Sequence, residues 1–325
     1  MPQSTVPSPT LLSLAQAYPH DPAHLHNVIL PQLAHRLRLA ALWSIAPSTK
    51  VLDIGCGQGD SALVLAHAVA PSTPDGGSTD ISGTGTTAGA SPGPAPGHVT
   101  ALDPAPGDYG APYTLAEAQS HILSSSPYGA HITFHRSDAP SYLASNSSAT
   151  FDSATLCHSL WYFPSRAAVV ALFGALHSSR RIGRLCLAEY CPQARTPSQE
   201  PHEMAVAAQA RLHALREARG KSEPSDANVR CAPDPEELVA LAREAGWVLK
   251  ERGSVDTPGM LDGQWEVGSV LAADWTEEVA REGLGREAEE ELLGCVAKIE
   301  AAVADLKKDG EKVQTLDAAW VVMER

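Results

Sequence analysis

The sequence contains no apolar run long enough to cross a bilayer, and its N-terminus has no basic segment followed by an apolar one. A transmembrane helix and a secretory leader are therefore not expected. Aromatic residues are sparse, 5% of 325. Positive charge is scarce too: 24 Lys and Arg stand against 38 Asp and Glu, a net charge of −14. Without a basic stripe, a protein that grips nucleic-acid phosphates is not expected. The acidic balance serves solubility and also suits a neutral or cationic small ligand. The six cysteines, Cys56, Cys157, Cys186, Cys191, Cys231 and Cys295, form no CxxC pair. Four lie within apolar patterns, where cysteine acts as a small hydrophobe. A disulfide framework or zinc site is not expected, and the chain reads as a reduced, cytoplasmic protein.

The apolar fraction is 43%, enough for a sizeable core. Residues 1–10 are rich in Pro, Ser and Thr and read as a disordered tail. From Leu11 to Ile45 the apolar spacing is helical, with Pro31 suited to a first turn. Lys50 to Ile54 is a short apolar run before a glycine loop, and Asp60 to Val69 is helical. Residues 71–97 are nearly all Gly, Pro, Ser, Thr and Ala, a low-complexity loop insertion that cannot build a core. Further strands are expected at His98–Leu102, His131–His135, Phe151–Cys157, Arg184–Glu189, Trp247–Val255 and Val313–Met323. Helices alternate with them: Thr114–Leu123 behind a Thr114/Glu117 capping box, Arg166–His177, and one opened by Asp234-Pro235 and closed at Gly246. Polar helices at 198–220 and 264–308 interrupt the alternation. The pattern predicts an α/β fold, a mainly parallel seven-stranded sheet with helices on both faces. One domain spans 11–325, with lid helices over 11–46 and helical cap insertions at 193–230 and 256–312.

The loop Asp53-Ile54-Gly55-Cys56-Gly57-Gln58-Gly59 follows a buried strand and opens a helix. Glycines let the backbone turn sharply beside a ligand, and the helix N-terminus offers free N–H groups to an anion. Dinucleotide sites use G-x-G-x-x-G, whereas here the spacing is G-x-G-x-G with Asp60 next. A carboxylate there would repel a pyrophosphate, which favours an amino-acid moiety. The stretch VLDIGCGQGD at 51–60 resembles the first motif of the class I S-adenosylmethionine-dependent methyltransferases. That resemblance implies a Rossmann-like sheet and S-adenosylmethionine as cofactor, with Asp53, Gly55, Gly57 and Gln58 around its methionine part. It further implies ribose binding by Asp103, followed by Pro104, in VTALDPAP, and an adenine contact from Asp138 and Ala139 in HRSDAP. Each isolated aspartate has an alternative as a turn or cap residue. Tyr18 on the lid is a further candidate contact. The block APGDYGAPYTLAEAQSHI is similar to one in fungal methyltransferases of small metabolites.

In open α/β sheets ligands lie beyond the carboxyl ends of the strands. The candidate catalytic residues are accordingly His158 and Tyr162 after the fourth strand and Glu189 after the fifth. His158 is a general base or cofactor contact, or a loop histidine bonded to backbone. Trp161, Tyr162 and Phe163 wall a substrate or anchor a helix start. Glu189 holds a cationic amine or caps a helix. His20, His24, His26 and His35 cluster in sequence, but no carboxylate or cysteine pattern supports a metal site. The expected activity is methyl transfer to an O, N or S atom of a small-molecule acceptor, with no nucleic acid or membrane partner. The inserted helices cap the acceptor or pair two copies as a homodimer. The alternative is a methyltransferase-like regulatory or scaffold protein that binds the cofactor without turnover.

Overall fold

A computed structural model of the chain describes residues 7–71, 96–220 and 229–325. The N-terminal helices are α1 (Pro9–Ala17) and α2 (Leu30–Leu42). The sheet-building part runs β1 (Lys50–Ile54), α3 (Asp60–Val69), β2 (His98–Asp103), α4 (Leu115–Ser125), β3 (Ile132–Arg136), α5 (Ala139–Ser145), β4 (Phe151–Cys157), α6 (Arg166–Ser178) and β5 (Ile182–Tyr190). Then follow α7 (Glu200–Ala218), α8 (Pro235–Glu244), β6 (Val248–Val255), α9 (Asp262–Leu271), α10 (Ala273–Glu282), α11 (Arg286–Lys308) and β7 (Ala318–Glu324).

The seven strands lie in the order β3-β2-β1-β4-β5-β7-β6. Strands β1 to β5 pair in parallel, and β7 runs antiparallel between β5 and β6. The strand order reverses between β1 and β4, the crevice where an open sheet receives ligands. Side chains alternate across the sheet. Leu52 and Ile54 meet Leu156, Leu187, Phe173 and Trp247 on one face. Val51, Val99 and Ala101 meet Leu63 and Leu65 of α3 on the other. Helices α7, α9, α10 and α11 bury a cluster of their own, around Leu212, Val270, Trp275, Leu292 and Ile299.

Several boundaries differ from the sequence reading. Residues 1–6, 72–95 and 221–228, which include most of the expected tail and insertion and part of the first cap segment, lie outside the described residues. The helix α1 starts inside the expected tail, because Ser8 caps it by accepting from the Leu11 N–H and Pro9 fits its first turn. The single N-terminal helical stretch is broken at Tyr18, which leaves the helix in an extended conformation. Helix α5 is additional, started by Asp138 as N-cap with Pro140 in its first turn. The stretch 264–308 is three helices, interrupted at Ala272 and at Gly283–Gly285, where both glycines have positive φ.

Candidate active site

The glycine loop crosses the carboxyl end of β1, and its three glycines do different things. All have positive φ, +73° at Gly55, +52° at Gly57 and +98° at Gly59. A Cβ on Gly55 would stand 2.6 Å from Ser159 Cβ, and one on Gly59 would stand 2.9 Å from Ile122 and Phe134. A Cβ on Gly57 would meet nothing within 4 Å. The protein packs against the outer two glycines, while the middle one faces open space, as a loop that cradles a ligand requires.

Asp53 lies beneath this loop rather than on it. It is 1% exposed, and Ser61 and Thr155 hydroxyls donate to its two carboxylate oxygens at 2.6 and 2.9 Å. Asp53 thus braces the loop, tying β1 to α3 and β4. Burial, opposed by those two hydroxyl bonds, pushes its pKa up to about 6. Asp103 holds the loop from β2: the Gly57 N–H donates to Oδ2 and the Ala105 N–H to Oδ1, both at 2.9 Å. Each oxygen keeps a lone pair, and Asp103 is only partly buried, so it stays open to a diol. Gln58 Nε2 donates to the Tyr113 carbonyl at 2.6 Å, and the buried Tyr18 hydroxyl donates to Gln58 Oε1 at 3.1 Å. Both ends of Gln58 are thus engaged, and Tyr18 acts as a latch on the loop. Pro104 is exposed beside Asp103. Asp138 is exposed and accepts from Ser141 N–H and Oγ–H, each at 2.8 Å, so its carboxylate serves the start of α5. The Ala139 side chain belongs to the core, packed with Leu102 and Leu143, which leaves only its backbone toward a ligand.

Asp60 is not the uncompensated charge that the sequence suggested. Arg36 Nε of α2 donates to it at 2.9 Å and Gln32 at 3.1 Å. The argument against a pyrophosphate then rests on glycine spacing rather than on repulsion.

Beyond β4 and β5 a narrow cavity is lined by His158, Trp161, Tyr162, Glu189, Tyr190, His202, Val229, Asp262 and Glu266. His158 occupies a left-handed conformation, φ +53°, which is rare for a side-chain-bearing residue and marks functional sites. Its ring is buried, 4.2 Å from the Tyr190 ring, with Nε2 2.9 Å from His35 Nε2 and Nδ1 3.5 Å from Glu189 Oε1. Burial drives the pKa of His158 well down and that of His35 to about 2, so one neutral imidazole donates to the other. His35 of α2 therefore covers His158 Nε2, a nitrogen that a general base would use. Glu189 accepts the Leu160, Trp161 and Tyr190 N–H groups at 3.0, 3.3 and 3.1 Å. It clamps the β4 loop from the end of β5. Burial still raises its pKa, to about 7. Tyr162 is 48% exposed, on the outer side of the cavity.

Among the lining residues that sequence reasoning missed are His202, Asp262 and Glu266. His202 is wholly buried on α7, and its Nδ1 accepts the Leu316 N–H at 3.0 Å. That bond puts the ring proton on Nε2, which has no partner. Burial lowers its pKa to about 3, so it is a neutral donor. Asp262 and Glu266 stand one turn apart on α9, and burial raises both carboxyls. Their i,i+4 spacing is visible in sequence, but nothing local says that α9 folds over β4 and β5. Of the N-terminal histidines, His20 bonds the Tyr18 carbonyl and His35 reaches His158, so they diverge.

No protein-family model matches the chain. Methyltransferase phomM' of Diaporthe leptostromiformis is 34% identical over 351 residues, covering 92% of this chain and 85% of that protein. The chain belongs to the class I S-adenosylmethionine-dependent methyltransferases. Methyltransferase phomM of the same fungus matches this methyltransferase to the same extent. A cyclopropane-fatty-acyl-phospholipid synthase-like protein from Lactobacillus casei, a solved structure, is 28% identical with a TM-score of 0.75. It covers 97% of the methyltransferase and 98% of its own chain. The seven-stranded, mainly parallel sheet with helices around it is the fold of this family.

Proposed function

We propose that this methyltransferase methylates an amine nitrogen of a small-molecule acceptor. The observation that carries the reading is the charge of the cavity beyond β4 and β5. Three carboxyl groups, Glu189, Asp262 and Glu266, line it together with Trp161, Tyr162 and Tyr190. Its two histidines are held neutral by burial. Such a wall attracts a cation, through carboxylates and through ring faces, and its net charge repels an anionic acceptor.

S-adenosylmethionine fits the glycine loop, since Gly57 opens onto free space and Asp103 keeps acceptor capacity for the ribose hydroxyls. When bound, the cofactor supplies an activated methyl group on a sulfonium. The chain's own part is to align the acceptor and exclude water. Glu189 fixes the β4 loop through three amides, which sets the position of Trp161 and Tyr162. Asp262 and Glu266 take the acceptor ammonium; the raised pKa of both carboxyls suits them to accept its proton and leave a nucleophilic lone pair. The His202 Nε2–H donates to a carbonyl or hydroxyl of the acceptor, fixing its orientation. Helices α7 and α9 form the cap over the acceptor, the role we assign to these insertions in preference to a homodimer surface. No described helix is long and apolar enough to cross a membrane. All six cysteines are unpaired, which supports a reducing, cytoplasmic setting.

Titration with S-adenosylmethionine, S-adenosylhomocysteine and NADH, followed by a screen of amines, phenols and carboxylates, tests this reading. Binding of the two adenosyl ligands alone and turnover of amines are expected. NADH binding would defeat the cofactor assignment, and turnover confined to phenols or carboxylates the acceptor assignment.

A further inference from the structure

Arg36 is used by nothing described so far except its bond to Asp60. Its side chain is 8% exposed. Nε is spent on Asp60 at 2.9 Å, while Nη1 is buried without a hydrogen-bond partner. A guanidinium nitrogen left unpaired in the interior is costly, and the cost is relieved by an anion. The place of Arg36 says which anion. Its bonded partner, Asp60, directly follows Gly59 in the glycine loop. His35, its neighbour on α2, meets His158 of the acceptor cavity, Nε2 to Nε2 at 2.9 Å. Arg36 therefore sits on the helix that joins the glycine loop to the cavity, bonded to the loop side through Asp60 and with Nη1 unbonded. A buried guanidinium with an unbonded N–H matches a carboxylate oxygen.

We propose that Arg36 anchors the α-carboxylate of the cofactor's methionine arm, Nη1 donating to it while Nε keeps Asp60. The lid helix α2 thereby reads the amino-acid end of the ligand, and Asp60 holds the guanidinium in register with the loop. The inference rests on the adenosyl cofactor, and its test separates the two.

Calorimetric titration of the full chain uses three probes: S-adenosylhomocysteine, its decarboxylated analogue S-adenosyl-3-thiopropylamine, and 5′-methylthioadenosine, which lacks the amino-acid arm. The wild type should prefer S-adenosylhomocysteine over the decarboxylated analogue by about 10- to 100-fold, the size of a charged hydrogen-bond pair. Arg36→Gln should abolish that preference while holding 5′-methylthioadenosine within about threefold of wild type. Arg36→Lys should restore part of it, since it keeps the charge and loses the fork. A wild type that does not distinguish the first two probes overturns the assignment. So does an Arg36→Gln variant that weakens all three equally, which would make Arg36 a prop of the loop. Unchanged S-adenosylhomocysteine affinity with a raised KM for the acceptor would move Arg36 to the acceptor side and also overturn it. Should Arg36→Gln fail to fold, the wild-type comparison and Arg36→Lys decide on the same criteria. Binding of none of the probes to wild type would instead sink the cofactor reading itself.

Discussion

Three glycines two positions apart look alike in the sequence and should fail differently when changed. Gly57→Val adds a side chain to open space, at the cost of a strained positive φ of order 1–2 kcal/mol, so the fold should persist while S-adenosylhomocysteine binding is lost. Gly59→Val drives a side chain into Ile122 and Phe134 and should lower the melting temperature markedly. Calorimetry and thermal unfolding on the two variants separate a ligand contact from a packing contact. Asp103→Ala should weaken cofactor binding by about 1–3 kcal/mol, because it removes an acceptor and frees the Gly57 and Ala105 N–H groups. The glycine loop and Asp103 were legible in the sequence because both depend on local chain geometry. The roles of Asp53 and Ala139 were not. Ser61, Thr155 and Leu102, which decide what those side chains touch, come from other elements. Burial also gives His202 a pH signature. Its folded pKa, about 3, lies below its ordinary 6.5, so the stability it contributes is full above pH 6.5 and is lost as pH falls toward 3. His202→Gln removes that loss, and the stability gap to wild type in urea unfolding should shift by about 2 kcal/mol in the variant's favour between pH 7.5 and 5. Parallel curves would show that His202 is not held neutral.

Helices α2 and α9 carry the residues that the sequence left unassigned. An amphipathic pattern tells that one face of α2 is buried, and its Leu33 and Leu39 are. It does not tell that His35 and Arg36 are buried as well, because their partners His158 and Asp60 stand on β4's loop and α3. Helix α9 presents Asp262 and Glu266 from one side, and only the fold of the insertion brings that side over the sheet. The double change Asp262→Asn with Glu266→Gln should raise the KM for an amine acceptor while leaving S-adenosylhomocysteine affinity unchanged. Steady-state kinetics with calorimetry on the same sample checks it. An unaltered KM would remove α9 from the acceptor site.

Across the whole molecule, the strand order and the parallel run from β1 to β5 follow from alternation that is visible residue by residue. β7 enters antiparallel between β5 and β6 after the chain has passed through α9, α10 and α11. The segment between α3 and β2 interrupts the first repeat of strand and helix, but its described flanks already meet. A Cβ on Gly97 would lie 2.4 Å from the Val69 carbonyl, and His98 N–H bonds the Thr49 carbonyl at 3.0 Å. Replacing residues 75–95 by a short Gly-Ser link should therefore leave the melting temperature and cofactor affinity nearly unchanged. A large drop in either would give that segment a structural role.

The last strand in chain order is second from the edge of the sheet, between β5 and β6. During synthesis, then, β5 has an open flank and β6 has no strand to join until more than 60 further residues have been made, from Val255 to Ala318. A nascent chain stalled or cut short before β7 would display the β5 edge, Leu185 to Tyr190, as a sticky template for other chains. Premature stop codons late in the reading frame should thus produce insoluble protein rather than a trimmed, working enzyme.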